Sequence, residues 1–166
     1  MSIADAVASA SAYLTEHPEE ARYRDSQATA KLEHGLVVSI TGPGGETART
    51  DMPTGIGGTA TVPSPGWLFR AATASCVAAL VAIRAAATGV TLEHVEITVD
   101  SESDDRGILG LDPGIPAGAM SMRVAASVRA RGIDARATEA LIRWAVDHCP
   151  VLDTVRRAIP IELILG

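Results

Sequence analysis

The sequence predicts an α+β fold in which helices gather on one side of an antiparallel sheet, and three observations lead there. Apolar residues recur at helical spacing in residues 3–14, 64–89 and 134–149. Strand-like segments with period-two alternation come in neighbouring pairs, rather than singly between helices as in a doubly wound sheet. Hydrophobic residues make up 47% of the 166-residue chain but aromatic residues only 3%, so the core is built from Ala, Val, Ile and Leu. A single domain spanning residues 1–166 is expected, with residues 1–20 as an N-terminal helical arm.

The arm places Ile3, Ala6, Val7, Ala10, Tyr13 and Leu14 on one stripe, with Ser2 before it as a cap and Pro18 beyond its end. Ala28, Ala30, Leu32, Leu36, Val38 and Ile40 share one parity around Glu33, His34 and Gly35, the pattern of a hairpin. The following stretch, TGPGGETARTDMPTGIGGTATVPSP, is rich in Gly, Pro and Thr and reads as a long loop with one short strand near residues 46–49. Ser64 then caps a helix with Pro65 at its first position, and Gly89 sits where a left-handed terminal residue belongs.

Val95, Ile97 and Val99 alternate as a strand, and Met120, Met122, Val124, Ala126 and Val128 as another, on either side of the turn-rich SESDDRGILGLDPGIPAG. Asp134 caps a second helix whose face carries Ala137, Ala140, Leu141, Trp144, Ala145 and His148, and Pro150 marks its end. A final strand over residues 159–165 is expected.

Partners are bounded by charge and by the termini. The net charge is -6 with no basic block, a poor match for nucleic acid or an anionic membrane. No basic-plus-apolar leader opens the chain and no apolar run is read as membrane-spanning, so a cytoplasmic location is expected. His17, His34, His94 and His148 lack metal-ligand spacing, so no metal and no cofactor are expected. The glycines of the long loop do not link a strand to an adjoining helix as a phosphate loop would, and Glu102, Asp104 and Asp105 read as a solvated loop.

Chemistry therefore rests on two thiols, Cys76 and Cys149. A reducing compartment disfavours a purely structural disulfide, so a working pair points to redox chemistry. Cys76 shares the apolar face of its helix with Phe69, Ala72, Thr73, Ala79, Leu80 and Ile83, about 18 Å from the helix start, beyond the reach of the helix dipole. Burial there raises a thiol pKa, and Arg70 and Arg84 project about 120° and 80° away around the wheel. Local sequence thus favours an inert core thiol at Cys76. Cys149, before Pro150 and after His148, ends its helix, where a thiol is expected to be exposed and mobile; a packed helix-end cysteine is the equal alternative.

The segments GIGGTATVPSPGWLFRAATASCVAAL, GVTLEHVEITVD, RGILGLDP and HCPVLDTVRR, in that order, resemble the OsmC/Ohr superfamily of osmotically induced and organic hydroperoxide resistance proteins. The resemblance implies antiparallel sheets, a long central cysteine-bearing helix, and an intertwined homodimer with sites at the subunit interface. It further implies a peroxidatic role for Cys76 and a resolving role for Cys149 in reducing organic hydroperoxides, with a dithiol as reductant. Peroxidase members carry a Glu just after the helix-opening Pro, where this chain has Gly66 and Trp67, and an activating Arg in the early hairpin, where residues 28–40 hold none; Arg22, Arg24 and Arg49 lie nearby in sequence. The alternative function is a binding protein for a small hydrophobic ligand at the dimer interface, with Trp67 lining the pocket.

Overall fold

The computed structural model describes residues 1–165 and contains two compact units, Ala10–Phe69 and Met1–Ser9 with Arg70–Gly166. α1 (Ile3–Glu16) starts with a reciprocal cap: Asp5 N–H donates to Ser2 Oγ while Ser2 N–H donates to the Asp5 carboxylate. It buries none of its side chains.

In the first unit, β1 (Thr29–His34), β2 (Val37–Thr41) and β3 (Thr47–Thr50) form an antiparallel sheet in that order. The expected hairpin turns at Gly35, whose φ of +54° suits a residue without a Cβ. Leu32 faces Val38 and Ala30 faces Ile40, so the parity read from the sequence is the register of the pairing.

α2 (Pro65–Ala87) begins as anticipated, with Trp67 N–H donating to Ser64 Oγ, and ends before Gly89 at φ +71°. At 23 residues it is long and apolar enough to cross a membrane by length and composition, which corrects the expectation that no run reaches that length. Its stripe Thr73, Val77, Val81 and Ala85 is buried against protein.

In the second unit, β4 (Thr91–Glu102) and β5 (Ser121–Arg131) form a long antiparallel ribbon. Val95 faces Val128, Ile97 faces Ala126 and Val99 faces Val124. Leu92, Val95, Ile97, Met122, Val124 and Val128 pack onto the helices, while Glu93 with Arg131 and Asp100 with Arg123 form ion pairs in the solvent-facing positions between them. Between the strands lies α3 (Asp105–Ile108), capped by Asp104, which accepts from Arg106 N–H. The Arg106 guanidinium holds the Asp104 carboxyl down to about 2. The acidic cluster is thus a cap with its own ion pair.

α4 (Ala135–Asp147) is capped by Asp134 as expected, with Ala137 N–H 2.8 Å from its carboxylate. Pro150 does end α4, but it also opens α5 (Pro150–Arg156), where a missing N–H and a fixed φ cost a helix nothing. Val77, Val81, Ala85, Leu141, Ala145, Cys149 and Leu152 form one buried cluster drawn from α2, α4 and the α5 corner. The expected final strand is not formed. Residues 158–165 are irregular, with no strand alongside them in the chain, and Ile161, Leu163, Ile164 and Leu165 are exposed.

Leu152 holds α5 onto the cluster. Leu152→Ala is expected to destabilise the protein by about 2–4 kcal/mol in denaturant unfolding, and to open Cys149 to a thiol reagent.

Candidate functional site

The two thiols, 73 positions apart in sequence, lie near enough to one another that Cys149 bears on the ionisation of Cys76. α2 presents Cys76 one residue before Val77, so the thiol sits at the border of the buried stripe and is partly exposed. Cys149 is the residue preceding α5 and is completely buried. Of the two equal readings of this helix-end thiol, exposed or packed, the structure has the packed one: Pro150 starts a new helix that covers the corner, and Leu152 joins Leu141 and Ala145 in the cluster there. Of the pair, Cys76 is the one open to a reagent.

Burial pushes the Cys76 thiol above its ordinary value, and the neighbouring Cys149 pushes the same way. The nearby Val151 backbone N–H, at the start of α5, opposes them. Among the described residues no guanidinium contributes to this balance, in keeping with the outward projection of Arg70 and Arg84 on the wheel. Arg70 donates to Ser101 Oγ at 3.3 Å, and Arg49 pairs with Glu33. Next to Cys149, the His148 ring stacks on Trp144 at 4.1 Å, with Nδ1 2.8 Å from the Trp144 carbonyl oxygen, which fixes the imidazole on α4.

Sequence reasoning passed over Asp51, the buried acid that organises the loop leading to α2. Its carboxylate accepts from Thr59 Oγ1 at 2.6 Å, Thr59 N–H at 2.9 Å and Met52 N–H at 2.7 Å, and its own N–H donates to the Pro63 carbonyl oxygen. These donors, led by the Thr59 hydroxyl, outweigh desolvation and lower its pKa to about 2. A Cβ on Gly58 would lie 1.8 Å from the Met52 carbonyl oxygen, so that loop closes only around a glycine. The signal was available as a lone acid in a stretch of Gly, Pro and Thr, where hydroxyls and free amides are plentiful.

His17, Glu19 and Glu20 bring possible ligand atoms within 4.8 Å of each other on the N-terminal arm. Tyr13 OH already donates to Glu20, and His17 lies 3.7 Å from Glu19, so these side chains are engaged at an exposed surface.

A protein-family model described as OsmC-like protein matches residues 58–164. No curated protein matches the chain. Among solved structures, an organic hydroperoxide resistance protein OsmC from Legionella pneumophila superposes with a TM-score of 0.61 at 22% identity, covering 81% of this chain and 91% of that one. An OsmC-like protein from Mycoplasma pneumoniae gives 0.70 at 14% identity, covering 82% and 91%. The organic hydroperoxide resistance protein OhrB of Bacillus subtilis gives 0.54 at 20% identity, covering 81% and 93%. At these identities the likeness is one of fold.

Two predictions follow from the electrostatics. The Asp51 pKa is depressed, so its contribution to stability is complete above its ordinary value near 3.8 and disappears as pH falls through about 2. Amide exchange or proteolysis in residues 52–63 should accelerate across that window, and Asp51→Asn should show the acceleration already at neutral pH. Because the Cys76 pKa is raised, its alkylation by iodoacetamide should keep climbing with pH beyond neutrality; a plateau at or below pH 7 would contradict the balance described.

Proposed function

This chain belongs to the OsmC-like family, and from that premise we propose that it reduces organic hydroperoxides through a cycle of Cys76 and Cys149. The observation that carries the reading is the approach of a partly exposed thiol, Cys76, to a buried one, Cys149, close enough to affect its ionisation. The Cys76 thiolate attacks the outer peroxide oxygen, the O–O bond breaks, and the alcohol leaves with a proton from solvent as Cys76 becomes a sulfenic acid. The Cys149 sulfur then attacks the Cys76 sulfur, water leaves, and a Cys76–Cys149 disulfide forms; an external dithiol returns both thiols. The Val151 N–H stabilises the attacking thiolate. The apolar walls around the pair suit a hydroperoxide with an apolar body.

The acting species is a homodimer in the cytoplasm. Trp67 and Phe69 on α2 are 50% and 38% exposed, Ala72 and Ala79 leave room for a second helix, and the tail exposes Ile161 and Leu163. Apolar surface of this extent supports a second copy as its cover. Oxidative-stress defence is the corresponding role in the cell.

The raised Cys76 pKa favours one other reading, a non-catalytic dimer that binds a small hydrophobic ligand. Reduced protein mixed with one equivalent of cumene hydroperoxide separates them by intact mass. Peroxidase action gives loss of two hydrogens within seconds, no oxidation in Cys76→Ser, and a sulfenic acid trapped by dimedone in Cys149→Ser. Oxidation no faster than that of a free cysteine would leave the binding reading.

A further inference from the structure

Away from the sulfurs, an open, solvent-facing cavity of about 260 Å³ lies between the end of α2, Val90 just before β4, and the first turns of α4. Val90 and Ile133 are half-buried in its wall, and the exposed Ala137 and Ala140 line its open side, where a larger side chain on α4 would crowd it. Two polar residues reach it, Arg84 and Thr88. The Thr88 hydroxyl donates to the Arg84 carbonyl oxygen at 2.8 Å, so the free donors are those of the Arg84 guanidinium. Arg84 as a whole is half-buried; its guanidinium makes no ion pair with a carboxylate among the described residues and lies 4.9 Å from the centre of the Trp144 ring. Contact with the indole limits its motion without using its in-plane N–H donors.

We propose that this cavity binds a small carboxylate with an apolar body, the carboxylate on Arg84 and the body between Val90, Ile133, Ala137 and Ala140. A planar guanidinium offers paired donors that match a carboxylate. One such cation, on a chain of net charge -6, is a poor match for a more highly charged phosphate. An open cavity of this size takes a small ligand on the scale of hexanoate or benzoate. The site uses neither thiol, and its occupancy is independent of peroxide reduction.

Isotope-labelled, reduced full-length protein titrated with sodium hexanoate tests this by NMR. The Arg84 side-chain N–H and the Ala137 and Ala140 amides should shift and saturate with a dissociation constant on the order of 1 mM. Hexan-1-ol, which lacks the carboxylate, should bind about tenfold more weakly, as should hexanoate to Arg84→Gln, while Arg84→Lys keeps part of the affinity. Ala140→Leu should abolish binding by filling the cavity. Equal binding of alcohol and acid, unchanged binding by Arg84→Gln, or shifts that persist in Ala140→Leu would each overturn the proposal; the alcohol and Ala140→Leu comparisons decide it should Arg84→Gln fail to fold.

Discussion

Thr73, Val77, Val81 and Ala85 stand four residues apart on α2, and a helix of 3.6 residues per turn turns such a series into one continuous stripe. That stripe is buried against Leu141 and Ala145 of α4 and Leu152 of α5, with the apolar faces of β4 and β5 on the adjoining side. The position of both sulfurs depends on this contact. Cys76 is next to Val77 and therefore borders the stripe, and Cys149 stands at the α4–α5 corner that Leu152 holds down. Two residues distant in sequence meet because the helices that carry them share a core.

The same contact sets a conflict in the chemistry. Apolar surroundings bring the thiols together but disfavour a thiolate, and among the described residues the Val151 N–H offsets that for Cys76. Asp51 shows the opposite outcome for a buried acid. There two amides and a hydroxyl converge on a carboxylate at 2.6–2.9 Å and keep it ionised. The number of donors, and not burial itself, separates the two cases.

Much of the fold was legible because its signals are local. Ser64, Pro65 and Gly89 bound α2, Asp134 opens α4, and the parity of Leu32 with Val38 sets a register, each through groups within a few residues or across one turn. The missing final strand marks where local reading ends. Ile159 to Leu165 have the composition of a strand, but a strand exists only when a neighbour accepts its backbone hydrogen bonds, and composition cannot supply that neighbour. Pro150 was ambiguous in the same way: it stops one helix and starts another, and only the burial of Leu152 chose between a stop and a corner.

The sequence by itself determined the α+β class, the limits of the main helices, the two thiols as the only redox-capable side chains of their kind, and the family that their flanking motifs resemble. Tertiary structure decided that the thiols come near one another, that Cys149 and not Cys76 is the sealed one, and that Asp51 is buried and ionised. Capping, periodicity and turn chemistry act over a few residues and are written along the chain. Burial and hydrogen bonding between distant segments arise only when those segments are brought together, so the state of each sulfur belongs to the fold.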